Sequence, residues 1–222
     1  MAVQTTPGVS QTSDGDTLPP TEQTERPGAL PFFSRDRGIG LWLVLTGLIG
    51  SLASFLLLYE RIQLWQDASH STACDINPWV SCGVVMESWQ ASTFGFPNIF
   101  IGVIAFPVVV AIGVGLLGGV RAPRWYWGGL QAGVLFALGF CVWLWSQAVY
   151  SIGALCPYCM IVWAAVIPMA VVVTARNIIH GVIPAGEGLK RAAREWWWVA
   201  VLLLFLAVAA SIVLQFPQIL GV

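Results

Sequence analysis

Long apolar runs alternate with short polar segments along most of the chain. Five of the runs are uncharged and long enough to cross a bilayer core, which takes about 20 residues in a helix: residues 40–59, 98–120, 125–150, 152–174 and 196–216. Backbone polar groups inside lipid must be bonded within the segment itself, so uncharged runs of this length form helices. The pattern predicts an all-α membrane protein with five transmembrane helices.

The two longest polar segments are the N-terminal region and the stretch between the first two spans. Residues 1–34 are rich in Thr, Gln, Ser and Pro, so we expect a disordered tail before a transmembrane domain over 35–222. Residues 61–97 hold several aromatic side chains, and residues 79–90 alternate apolar and polar positions at loosely helical spacing. This is typical of an interfacial helix or cap over the bundle, with an ordinary aromatic-belt loop as the alternative.

Composition and charge support the membrane class and add an orientation. The chain is 57% hydrophobic and 9% charged, against about 25% charged residues in a soluble domain. Its basic residues are too few and scattered for a nucleic-acid partner. Arg61 lies on one side of the predicted bilayer. Most of the remaining basic residues flank the opposite side: Arg35, Arg37, Arg121, Arg124, Arg176, Lys190, Arg191 and Arg194. This bias marks the cytoplasmic side. The N-terminus is therefore expected inside, and the C-terminus and residues 61–97 outside.

The candidate chemistry lies in the cysteines. Cys156-Pro157-Tyr158-Cys159 places two thiols at a spacing that closes into a disulfide with little chain movement, near the start of a predicted helix. A helix N-terminus favours the thiolate, which is the reactive form. Cys74 and Cys82 form a second local pair on the same outer side, while Cys141 is expected only to pack. The alternative is that the motif cysteines are buried and inert.

Two dithiols on one face of a membrane can form an electron relay. Thiol–disulfide exchange passes two electrons at a time through mixed disulfides. We expect Cys82 to be held near the membrane and Cys74 to lie on the more polar, mobile side. The chain has no dinucleotide-binding glycine pattern and no haem-type Cys-x-x-Cys-His, because Met160 follows Cys159. The natural final acceptor is a lipid-soluble quinone.

These residues resemble the vitamin K epoxide reductase family, and more closely its bacterial homologues that make disulfides. The resemblance covers residues 38–216. It rests on Cys74 and Cys82, on the Cys156 to Cys159 motif heading the fourth span, and on features between them: Ser88 and the Phe94-Gly95-Phe96-Pro97-Asn98 stretch.

The resemblance implies a four-helix bundle around a quinone of the menaquinone, ubiquinone or vitamin K type, plus one peripheral helix, in the bacterial inner membrane. Cys156 and Cys159 match the active centre, with Cys159 nearest the quinone. Cys82 matches the cysteine that exchanges with Cys156, and Cys74 the one that takes electrons from a thioredoxin-like protein. Two further positions match residues near the quinone: Ser88, and Asn98, which bonds a quinone carbonyl in the vitamin K enzymes.

The chain also departs from the family pattern. Trp163 stands where the mammalian reductases have a quinone-binding tyrosine; its indole N–H can still donate. This favours disulfide formation, with vitamin K epoxide reduction as the alternative. Many bacterial members continue into a fused thioredoxin-like domain, whereas this chain stops at Val222. We therefore expect a separate thioredoxin-fold (DsbA-like) partner.

Other function classes fit the sequence less well. A transporter normally has ionisable groups inside its spans, and these spans have none. A zinc protein normally has closer ligand pairs than Cys74 and Cys82, so no metal is expected. The unrelated DsbB family performs similar chemistry, but the fifth span disfavours it. His70, Asp75 and Glu87 could move protons on the outer side, though each is more typical of a solvated surface group.

Overall fold

A computed structural model describes residues 31–67 and 69–217 of the chain. Its helices are α1 (Asp36–Gln66), α2 (Cys82–Glu87), α3 (Ile99–Leu117), α4 (Arg124–Gln147), α5 (Pro157–Ile179), α6 (Glu187–Glu195) and α7 (Trp197–Gln215). A π-helical turn, Ala148–Ile152, extends α4. Five of these helices, α1, α3, α4, α5 and α7, are long and apolar enough to cross a membrane. The predicted all-α membrane fold with five transmembrane helices is confirmed.

Helix α5 is the central element of the bundle. It packs against α1 on one side and α4 on the other, and α3 packs along α1. Helix α7 contacts α5 and the π-helical turn from outside, and none of its residues is buried. Four helices therefore form the bundle, and the fifth is peripheral.

Small residues set the close packing of α1 on α3. A Cβ added to Gly113 would lie 2.7 Å from the carbonyl oxygen of Gly40, and one added to Gly50 would strike the ring of Phe106. Small residues at such positions let two membrane helices approach backbone to backbone. This contact fixes the wall of the bundle that α3 provides.

Several helix ends differ from the ends of the predicted spans. Helix α1 continues past residue 59 to Gln66, so Arg61 belongs to the helix. The fourth span begins at Pro157 rather than residue 152, because Gly153 ends the preceding turn at φ 72° and proline suits a first helical position. The predicted disordered tail also ends too late: Phe33 and Ser34 are buried in a short 3-10 turn. Residues 1–30 lie outside the described part.

A buried polar group holds three helices together at one end of the bundle. Arg176 lies inside α5, with its guanidinium 3.2 Å from the centre of the Trp127 ring and 3.5 Å from Asp36 on α1. The neighbouring Asn177 donates to Gln131 on α4 at 2.9 Å. The sequence placed Arg176 in a cytoplasmic loop, so this network was not predicted.

Candidate active site

The outer segment, which is the polar stretch between α1 and α3 that we expect on the outer side, folds over the bundle. Its helical part is shorter than residues 79–90: α2 begins at Cys82, where the Ser81 hydroxyl accepts from the Val84 N–H at 3.2 Å. A 3-10 turn, Trp89–Ser92, follows. Such a hydroxyl is a typical N-cap, and it fixes Cys82 as the first residue of α2.

Backbone pairing joins this segment to the chain just before α5. The Leu155 N–H donates to the Trp79 carbonyl at 2.8 Å, and the Ser81 N–H donates to the Leu155 carbonyl at 3.0 Å. Leu155 thus pairs with Val80 in parallel register, which brings the start of α2 next to the start of α5. Cys82 and Cys156 therefore lie side by side, although they are 74 positions apart in sequence.

The four cysteines of the two pairs meet at this junction. Cys74 and Cys82 are joined by a disulfide, while Cys156 and Cys159 are free thiols. The Cys156 sulfur lies 3.4 Å from the Cys82 sulfur and accepts the Cys159 N–H at 3.3 Å. The Cys156 sulfur is therefore in contact with one sulfur of the Cys74–Cys82 disulfide, so thiol–disulfide exchange between the two pairs needs little movement.

Burial shields this junction from water. Cys82, Cys156 and Cys74 expose 0%, 3% and 5% of their surfaces. Cys74 therefore does not lie on the polar side of the segment, as the sequence had suggested. Its sulfur lies 3.6 Å from the Thr72 hydroxyl. The polar residue that follows it in sequence, Asp75, bonds Thr72 and Ser81 in the same loop.

The surroundings of Cys156 favour its thiolate form. It precedes α5, and its pKa is lowered first by a hydrogen bond from the Cys159 side chain, then by the N–H groups of Cys159 and Tyr158. Burial and the negative charge of Asp75 oppose this shift without reversing it. A lowered pKa increases the thiolate fraction available for exchange.

A cavity of about 610 Å³ adjoins the motif cysteines. One end carries the polar side chains of Ser88, Gln90 and Asn98, and its remaining walls are largely apolar and aromatic. Helices α3 and α4 each pack on a different neighbour rather than on one another. Val108 and Phe136 line the cavity from these two helices, and each is more than half exposed. The cavity therefore opens sideways between α3 and α4.

The predicted quinone contacts all line this cavity. Asn98 donates one amide N–H to the Gln90 carbonyl at 2.6 Å, and its buried Oδ1 has no partner among the described residues. This bond fixes the orientation of the amide and leaves its second N–H available. Ser88 donates to the Val85 carbonyl at 2.7 Å. The cavity thus has a polar end beside the motif thiols, while the rest of it is apolar. This combination suits a ligand with a planar ring and an apolar tail.

Two cavity residues were missed from the sequence. Gln90 is buried and links the outer segment to Gln147 at the end of α4 at 3.4 Å. Cys141 was expected to face no other thiol, yet it lines the same cavity as Cys159. Cys141 lies in a long apolar stretch of α4, which gives no amphipathic pattern from which this facing could be read.

Acidic, histidine and cysteine side chains are otherwise dispersed. Within residues 31–67 and 69–217, no group of three or more lies close enough to hold a metal ion.

Together, the fold and this junction define a class: a multi-pass membrane protein with two cysteine pairs placed for redox chemistry. Residues 41–174 match the vitamin K epoxide reductase family, whereas no curated protein matches the chain. The match covers more than half of the 222 residues. The chain therefore belongs to the vitamin K epoxide reductase family, whose members are membrane oxidoreductases associated with quinones.

Proposed function

We propose that the protein is a quinone-dependent thiol oxidoreductase that supports disulfide formation on the outer face of a bacterial inner membrane. Electrons pass from a separate thioredoxin-fold protein through Cys74 and Cys82 to Cys156 and Cys159, and then to a quinone. The observation that carries the proposal is the 3.4 Å contact between the Cys156 and Cys82 sulfurs.

The exchange balances as two successive displacements. After the partner has reduced the Cys74–Cys82 disulfide, the Cys82 thiolate attacks Cys156 of an oxidised motif, and Cys159 leaves as a thiolate. The Cys74 thiolate then attacks Cys82 and releases Cys156. Two electrons and two protons have moved from the loop pair to the motif pair. The exchange therefore ends with a Cys74–Cys82 disulfide and with Cys156 and Cys159 as free thiols. The structure has this arrangement.

The cavity supports a quinone as the final acceptor. When bound, a quinone accepts two electrons and two protons, which regenerates the Cys156–Cys159 disulfide. Cys159 and Asn98 line the polar end of the cavity and would hold the ring there. The sideways opening between α3 and α4 would admit a long apolar tail from the lipid. A volume of about 610 Å³ is in the usual range of small-molecule sites, roughly 300–1,000 Å³.

Asn98→Ala is expected to slow quinone reduction. A donor aimed at an oxygen that gains negative charge stabilises the reduced form. Losing one such bond, worth roughly 1.5–3 kcal/mol, corresponds to a fall of about ten- to a hundredfold. The measurement is the loss of quinone absorbance with purified protein and a small dithiol as electron donor. Exchange between Cys82 and Cys156 should survive.

The control is Ser211→Ala, which changes a hydroxyl on the peripheral α7 that bonds the Val208 carbonyl. A folded Asn98→Ala protein at the parental rate would show that Asn98 does not contact the quinone, leaving Trp163 or Ser88 as the better candidate. Parental protein that fails to reduce any quinone would refute the proposed function itself.

The orientation has its own test. Ile76 is exposed beside the loop cysteines, and Gly186 precedes α6 on the opposite side. Ile76→Cys is expected to react in whole cells with a membrane-impermeant thiol reagent, and Gly186→Cys only after lysis, both compared with the parental protein. The reverse pattern would place the exchange junction on the cytoplasmic side and remove its oxidising environment.

A further inference from the structure

The Asp75 carboxylate binds three parts of the loop that carries Cys74 and Cys82. Its Oδ2 accepts the Thr72 N–H at 2.8 Å. Its Oδ1 accepts the Ser81 hydroxyl at 2.6 Å and the Gly83 N–H at 3.0 Å. The donors lie before Cys74 and on both sides of Cys82. A single side chain therefore fixes the two cysteine backbones relative to each other.

The local structure is built around this carboxylate. A Cβ added to Gly83 would lie 3.1 Å from Asp75 Oδ2, so glycine leaves room for the group. Burial disfavours the charged form, but the bonds from Ser81, Gly83 and Thr72 outweigh it and hold the pKa of Asp75 below its ordinary value. Asp75 is thus ionised at neutral pH, and it is more than the solvated surface group suggested by the sequence.

The loop needs such a group during one half of the proposed cycle. While Cys74 and Cys82 are joined, the disulfide itself holds the loop closed. Once the partner has reduced that bond, only non-covalent contacts keep Cys82 facing Cys156. The bonds of Asp75 involve no sulfur atom, so reduction of the disulfide does not itself break them.

We propose that Asp75 is a positioning residue that holds the reduced loop in its closed shape, so that the Cys82 thiolate stays against Cys156. This inference rests on the proposed exchange between the two pairs. It adds that the loop geometry is the same in both redox states. Other contacts contribute to the anchoring, among them the Leu155 pairing described above and the His70 to Glu60 contact at 3.2 Å. Among the described residues, Asp75 alone accepts bonds from groups next to both cysteines.

The test follows both disulfides in one sample. Fully reduced protein, freed of reductant under argon, is mixed with a soluble quinone, quenched with acid at intervals, alkylated and analysed by peptide mass spectrometry. In the parental protein, Cys156–Cys159 should close first and Cys74–Cys82 after it. In Asp75→Asn, we expect the first step to be no slower than in the parental protein, because the charge that opposes the Cys156 thiolate is lost. The second step should slow about tenfold, since the charged acceptor of three bonds is lost.

The matched control is Asp67→Asn. Asp67 lies in the same outer segment and accepts bonds from Ser69, away from both cysteine pairs, so both steps should keep the parental rate. If Asp75→Asn does not fold, Ser81→Ala removes one of the three donors and should slow the second step alone, by about threefold.

The outcomes separate the two claims. Parental rates for both steps in Asp75→Asn, or equal slowing of both, would refute the positioning role. If the quinone fails to oxidise Cys156 and Cys159 in the parental protein, the proposed function is wrong instead. The rate of Cys82 alkylation is a second measurement. Cys82 is fully buried, and in the reduced Asp75→Asn protein it should become more reactive, while the oxidised variant melts like the parent.

Discussion

Cys156→Ala and Cys159→Ala proteins are expected to lose quinone reduction entirely, with either a protein or a small dithiol as donor. Two electrons leave a dithiol only when its two sulfurs can pair, and no other sulfur replaces either motif position at the start of α5. The measurement is quinone absorbance in detergent or proteoliposomes. The loss should reach the rate seen without protein.

Ser211→Ala on α7 serves again as the control, because it changes a polar side chain remote from both cysteine pairs. Folding of each variant is checked by its melting temperature. Dithiol-driven quinone reduction that persists in either cysteine variant would mean that the electrons take another route, for example through Cys141, which lines the same cavity.

Cys74→Ala is expected to separate the two electron donors. In the proposed relay, a thioredoxin-fold protein delivers its electrons through the Cys74–Cys82 disulfide, and Cys74→Ala removes that disulfide. A small dithiol can instead reach Cys159, which is partly exposed and lines the laterally open cavity. Oxidation of a reduced thioredoxin-fold protein should therefore stop, while quinone reduction by dithiothreitol continues at a similar rate.

The same quinone assay, run with each donor in turn, checks this prediction. Equal loss with both donors in a folded protein would contradict separate roles for the loop and the motif. Asp67→Asn provides a matched change in the outer segment that leaves both cysteines in place, and it should work with both donors.

The number of spans and their helical state followed directly from the sequence. Runs without ionisable residues have few alternatives inside a bilayer, so the count was secure. Their ends were less predictable, because local backbone chemistry decides them. Gly153 stops one helix in a left-handed conformation and Pro157 starts the next, while the apolar run continues through both residues.

The candidate site was predictable only in part. The motif at the start of a helix could be read from residue order, since Cys156 and Cys159 are neighbours in sequence. The contact between Cys82 and Cys156 depends on the backbone pairing of Trp79 and Ser81 with Leu155, which joins distant segments and leaves no local signal. Burial of Cys74 was missed because polar neighbours such as Asp75 satisfy their bonds inside the loop.

The most direct test of the account is whether Cys82 and Cys156 form a disulfide. A double variant, Cys74→Ala with Cys159→Ala, leaves each of these cysteines without its local partner. After mild oxidation with copper phenanthroline, non-reducing peptide mass spectrometry should find a Cys82–Cys156 linked peptide as the main product, because the two sulfurs lie 3.4 Å apart. Both thiols remaining free in the folded protein, or either one linked to Cys141, would contradict the exchange between the two pairs.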